Sequence, residues 1–234
     1  MPRRPVVFAV GPELDERRIA RWLPRTERSS PVRSSDRTLL DTFDGRLRHE
    51  GLVLWRRGRG ATAALVLEGA GPSPLSSPWV GPAGAVDRLL AGELPDGVLG
   101  TRLRVVVGER ALLPRVRIRT RTVPLRVCNG DGKTVVRMWI EEPALAGRAA
   151  ANGALGRRLV VSGVLGYDGE FDRAVAALGR RLQRAELGLP DEALEAAGLP
   201  PGGFSSAVDV PLEPGMRADH AMASICRRLA GVLE

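Results

Sequence analysis

The chain has 234 residues, 44% of them hydrophobic, which suits a globular protein with one substantial core and room for a second small unit. The net charge of +8 favours polyanionic partners such as nucleic acid, polyphosphate or anionic lipid, although Lys133 is the only lysine and so strong an arginine bias also follows from a GC-rich genome. No apolar run approaches the roughly 18–20 residues of a membrane span, Met1-Pro-Arg-Arg-Pro-Val precedes too short an apolar run for a signal peptide, and Cys128 and Cys226 have neither CxxC nor metal spacing; a soluble, cytoplasmic protein with free thiols is expected, with no membrane partner.

Residues 5–10 are short, apolar and β-branched, a first strand. Residues 13–23 carry Leu14, Ile19, Trp22 and Leu23 at helical spacing. Residues 25–36 are polar and rich in Ser and Pro, a loop. A second strand is predicted over 38–43, ending in the turn Asp44-Gly45, and a third over 51–57. Gly58-Arg-Gly60 then turns the chain into a fourth strand, 61–68, completing a hairpin. Residues 69–84 are Gly-, Pro- and Ser-rich, an irregular connection, and 86–91 suit a short helix. A fifth strand is predicted over 101–108 and a sixth over 113–127. Asn129-Gly-Asp-Gly132 is a hairpin turn into a seventh strand, 133–141, antiparallel to the sixth. After a small-residue loop at 148–156 comes an eighth strand, 157–164. A helix follows with Asp168 as N-cap and Phe171, Val175, Leu178 and Leu182 as its apolar stripe. Residues 188–214 read as a loop with one helical turn near 191–197. Residues 216–233 are amphipathic, and the face formed by Met222, Ile225, Cys226, Leu229, Val232 and Leu233 needs a surface to bury it.

The sixth strand contains Arg115, Arg117, Arg119 and Arg121. Side chains alternate along a strand, so the four arginines share one face, while Val116, Ile118, Thr120 and Thr122 share the other. The result is a rail of planar, permanently charged forks about 20 Å long, suited to phosphate. Inside a closed sheet such a rail would hold a polyanion; on an open sheet it would be a solvated face. Burying it without counter-charge would be very costly, so burial implies a ligand, acidic partners or water. Of the neighbours Arg56 and Arg57, one shares a face with the interior.

Eight strands in mostly antiparallel order suggest an α+β protein built on a closed or nearly closed β-barrel, a tunnel with peripheral helices and a C-terminal helix. Leu40-Asp-Thr-Phe-Asp-Gly-Arg-Leu47 followed by Gly51-Leu-Val-Leu-Trp-Arg-Arg57 resembles the strand–turn–strand of the CYTH superfamily, the triphosphate tunnel metalloenzymes. The arginine rail resembles that family's later basic strand, and Asn129-Gly-Asp-Gly132 the hairpin after it. The resemblance covers about residues 5–185 and implies a barrel domain over 1–187, a linker over 188–214 and, over 215–234, the truncated first helix of a CHAD-like domain, a basic helical module associated with polyphosphate.

The departures bear on function. The family's first strand carries Glu-x-Glu-x-Lys, where this chain has Val6-Val-Phe-Ala-Val10. The family's Leu-Lys-Leu aligns with Leu65-Val-Leu67. Its late acidic strand corresponds to Leu159-Val-Val-Ser-Gly-Val164, and Arg137 lies near the place of an inward acidic residue. The family's glutamates hold the divalent metal, and valine and alanine cannot supply oxygen ligands. The expectation is a pseudoenzyme that binds inorganic polyphosphate or a triphosphate-bearing small molecule through Arg56, Arg57, Arg115, Arg117, Arg119 and Arg121, with no cofactor. One alternative is a divergent triphosphatase holding Mg or Mn through Asp41, Asp44 and Glu141. The aspartates equally suit a turn that pairs with Arg46 or Arg48. Another is an RNA-binding barrel, disfavoured by an aromatic content of 4% with one Tyr. The last is a structural or interaction barrel with no ligand. His49 and His220 have no partner pattern and are expected at the surface.

Overall fold

The longest strand organises the sheet. In a computed structural model, described over residues 4–58, 63–71, 74–79, 88–147, 155–199, 210, 213 and 215–233, the strands are β1 (Val6–Ala9), β2 (Thr26–Arg28), β3 (Arg33–Asp41), β4 (Val53–Arg57), β5 (Ala64–Glu68), β6 (Leu75–Pro78), β7 (Leu113–Cys128), β8 (Thr134–Leu145) and β9 (Arg158–Gly163). The helices are α1 (Glu16–Trp22), α2 (Arg46–His49), α3 (Val98–Val107), α4 (Asp168–Gly179), α5 (Leu189–Ala196) and α6 (Ala218–Leu233). All pairings are antiparallel, in the order β1-β9-β8-β7-β3-β4-β5-β6, with β2 added along the end of β7. This is the expected α+β architecture. The sheet curls without closing: Val6 and Val7 of β1 line one cavity together with Val53 and Trp55 of β4 and Glu68 of β5.

Alternation divides the apolar residues between two faces. On the outer face Phe8, Leu125, Met138, Ile140 and Leu159 pack under α1 and α4 through Ile19, Phe171 and Leu178. Further along the same face Leu40, Leu54, Leu65 and Leu67 pack under α2 and α3 through Leu47, Leu99 and Leu103. On the inner face Leu39, Trp55, Val66, Val116 and Ile118 meet Leu189, Ala193 and Leu194 of α5, which fills the concavity.

Several elements differ from the sequence expectation. Residues 101–107 lie in helix α3, with Gly108 as its C-cap, not in a strand. Leu99, Leu103 and Val107 recur every four residues and are buried, whereas Val105 is 78% exposed. The run Val105-Val-Val107 favours a strand locally, but packing of the leucine stripe on the second apolar cluster overrides it. Strand β2 lies in the segment read as a loop, and β3 starts at Arg33, because the 16 residues of β7 template partners beyond the apolar stretches. Strand β6 lies within the connection read as irregular. Tyr167, not Asp168, caps α4; Asp168 is in the first turn, where its charge suits the helix dipole. The turn residues 59–62 lie outside the described residues, as does most of the short helix read at 86–91, but β4 and β5 pair as a hairpin should. In α6 Met222 is 60% exposed and Cys226 is exposed, so part of the face read as needing cover is open; the side chains of residues 229–233 lie outside the described set. No helix among the described residues is long and apolar enough to cross a membrane.

The α3 assignment has a direct consequence. Leu103→Ala should cost about 2–5 kcal/mol in urea unfolding, whereas Val105→Ala should be neutral or stabilising by a few tenths, as expected for an exposed helical site. Equal losses at both positions would restore the strand.

Candidate functional site

Register fixes where the arginines point. Arg117 lies opposite Thr38, which lies opposite Arg56, and Arg119 lies opposite Asp36. The rail therefore shares a face with Arg56, across the sheet from Trp55, Ile118 and Arg57. This is the outer face, in the strip between its two helix-covered clusters. Arg117, Arg119 and Arg121 are exposed and Arg115 is half-buried.

Two of the four are neutralised. Arg119 Nε donates to Asp36 Oδ1 at 2.9 Å, and Arg121 Nη1 donates to Glu142 Oε2 at 2.7 Å. Glu142 also accepts from Arg157 Nε at 2.9 Å, and Arg157 reaches the carbonyls of Gly11, Pro12 and Leu14, tying the β1–α1 connection to the sheet. Burial raises the Glu142 carboxyl, but the hydrogen bond and charge of Arg121, with Arg157, outweigh it and hold it below the ordinary range. Arg115 and Arg117 form no ion pair among the described residues. Arg56 is 4% exposed and stacks 4.9 Å from the centroid of Trp79; burial, and then the charge of Arg117, lowers its proton affinity. In the Arg119–Asp36 and Arg121–Glu142 pairs the guanidinium end is exposed to solvent, so a multivalent anion can reach Arg119 and Arg121 without displacing the carboxylates.

The carboxylates considered as metal ligands are occupied otherwise. Asp41 accepts the N–H groups of Thr42, Leu47 and Arg48, holding the turn from β3 into α2. Burial raises its pKa against those bonds and the charge of Arg115. Asp44 pairs with Arg110 at 3.0 Å and Arg46 at 3.4 Å. Burial raises Asp44, but hydrogen bonds from Thr42 and its own backbone, with the charges of Arg110 and Arg46, bring it below the ordinary range. Glu141 is on the inner face and pairs with Arg37 at 3.3 Å. Among the described residues no group of three or more His, Cys, Asp or Glu side chains converges as a metal site would need. His49 and His220 are exposed, as expected.

The inner face carries charges that the sequence did not single out. Arg37 donates to Thr120 and Glu141 and stacks 5.3 Å from the centroid of Trp55. Arg158 is 5% exposed and pairs with Glu192, which α5 brings in from 34 residues away. Arg57 pairs with Glu68. A cavity of about 480 Å³ remains among Arg37, Arg158, Arg184, Glu68 and Glu141. On the strands where the resemblance implies inward carboxylates, register places Val7 and Ala9 of β1 and Arg158, Val160 and Ser162 of β9 on the inner face. Alternation groups Arg37 and Arg158 with their face-mates but does not say which face is inner, and the carboxylate from α5 arrives only through tertiary packing.

No family profile matches the chain, and no curated protein sequence does. Among solved structures, the chain resembles a protein from Pyrococcus horikoshii OT3 at 8% identity and a TM-score of 0.46, over 82% of this chain and 96% of that one. A candidate adenylate cyclase from Bacillus halodurans matches at 12% identity and 0.47, over 90% and 93%. A candidate adenylyl cyclase from Hippeastrum, described as having a dominant triphosphatase activity, matches at 10% identity and 0.46, over 83% and 95%.

Glu192→Gln leaves the buried Arg158 guanidinium without counter-charge and should cost about 3 kcal/mol in chemical unfolding; a loss under 0.5 kcal/mol would mean that the pair is dispensable. Glu142 has a depressed folded pKa, so its stabilisation is complete above the unfolded value of about 4.3 and is lost as pH falls through the folded value. Glu142→Gln should therefore destabilise by about 1 kcal/mol at neutral pH, a gap that closes toward pH 3 in pH-dependent urea melts.

Proposed function

We propose that the protein binds an oligophosphate, such as inorganic polyphosphate, along the outer arginine rail and without a metal. The observation that carries this is the run of four arginines on the open strip of β7, two of which form no ion pair among the described residues. Arg37 and Arg158, covered in the concavity, each pair with a carboxylate, whereas Arg115 and Arg117 of the outer strip form no ion pair among the described residues and share their face with Arg56. An extended polyanion laid along β7 meets four guanidinium groups spaced about 6.8 Å apart, those of Arg119 and Arg121 on their solvent-exposed side. Asp41, Asp44 and Glu141 are held by backbone N–H groups or arginines, which favours binding over metal-assisted hydrolysis at those residues. Scarce aromatic side chains favour phosphate chains over single-stranded RNA, whose bases need stacking partners.

The test is a titration with long-chain polyphosphate in EDTA across a salt series, beside Arg115→Gln/Arg117→Gln. The double variant should bind at least tenfold more weakly, with a log–log salt slope shallower by about two contacts. Equal affinity and slope in the variant would remove the rail from the binding account.

A further inference from the structure

A second site lies at the far end of the first apolar cluster. Between α4 and the β7–β8 hairpin is a groove of about 560 Å³, within the range of small-ligand pockets. Its floor is apolar: Leu23, Val135, Val136 and Ala174 are all buried. The groove exists because α4 presents Ala174 and Ala177, where larger side chains would close the gap to the hairpin. Its rim is cationic. Arg173 stands on α4 and Arg180 caps its C-terminus, and Arg25 reaches the hairpin turn, where a Cβ on Gly130 would lie 3.7 Å from Arg25 Nη1. Arg173 has Glu170 at 3.0 Å, whereas Arg25 and Arg180 form no ion pair among the described residues.

Arg25 is also held in a costly conformation. Its φ is 66°, the only positive value among described non-glycine residues. The turn that imposes it is fastened by the Cys128 N–H donating to the Arg25 carbonyl at 3.1 Å and Thr26 Oγ1 donating to the Leu23 carbonyl at 2.6 Å. Backbone strain that the surrounding structure maintains concentrates at ligand sites. Here it sets an unpaired guanidinium at the edge of an apolar floor.

We infer that this groove binds an amphipathic anion: an apolar tail of about ten carbons or a fused aromatic ring on the floor, with one carboxylate, sulfonate or phosphate head between Arg25 and Arg180. The inference is independent of the rail, which lies on a different stretch of the sheet and has no apolar floor of its own.

The experiment uses the whole chain and anilinonaphthalene sulfonate as fluorescent probe, displaced by decanoate or decyl phosphate below their aggregation limits. Both competitors should displace the probe in a saturable, one-site manner. Inorganic phosphate and decanol, which supply only head or only tail, should not. Ala177→Leu, which fills the groove, should weaken probe binding at least tenfold with an unchanged or higher Tm. Arg180→Gln and Arg25→Asn should each weaken decanoate by about tenfold, the loss expected for one charge-assisted hydrogen bond. Unchanged affinity in Ala177→Leu and Arg180→Gln would overturn the site, as would displacement by inorganic phosphate alone. Displacement by tripolyphosphate, with sensitivity to Arg115→Gln/Arg117→Gln, would assign the signal to the rail and also overturn it.

Discussion

The two-residue alternation of β7, clamped between β3 and β8, is the constraint on which the rest of the structure depends. A slip of one residue would carry Arg115, Arg117, Arg119 and Arg121 onto the inner face and Val116 and Ile118 into water. Among the described residues the inner carboxylates Glu68, Glu141 and Glu192 are already paired, and unpaired buried charge costs several kcal/mol per group. The observed register avoids both losses. It also lets the apolar inner positions of β7 meet α5, so the concavity is filled by a helix and stapled by Arg158–Glu192.

The same alternation produces two kinds of charge. In the concavity the covered charges Arg37 and Arg158 are matched by Glu141 and Glu192, and these pairs specify how β3, β8, β9 and α5 come together. Outer charges are many, exposed and only partly matched, because the helices cover both ends of the outer face and leave the strip along β7 open. The pairs at Asp36 and Glu142 leave the guanidinium groups of Arg119 and Arg121 open to solvent. An anion seeking arginine meets little resistance outside, whereas inside it must compete with Glu141 and Glu192.

Strand periodicity made much of this legible in the sequence. The sixth, seventh and eighth predicted strands, the β4–β5 hairpin pairing and the helix after residue 167 follow from alternation, turn residues and the Phe171–Leu178 stripe. Alternation also grouped the four arginines correctly. It could not say which face of the curled sheet they take, because that depends on where the covers dock. Residues 101–108 show the opposite failure: a β-branched triplet dominated a window whose longer leucine period belongs to a helix. Glu192 was invisible for a different reason. Its role exists only once α5 folds back into the concavity, and nothing local near Asp191 marks it. Arg25 and the groove beside it were hidden likewise, in a stretch that reads as plain loop.

The most direct test observes the arginines themselves. The Nε–Hε resonances of the guanidinium groups, assigned by substitution, would be followed by NMR while tripolyphosphate is added in EDTA. The account predicts saturable shifts at Arg115, Arg117 and Arg56, smaller ones at Arg119 and Arg121, and none at Arg37 or Arg158. Shifts confined to Arg37 and Arg158 would contradict it, placing the anion in the concavity and making displacement of α5 the first step of binding.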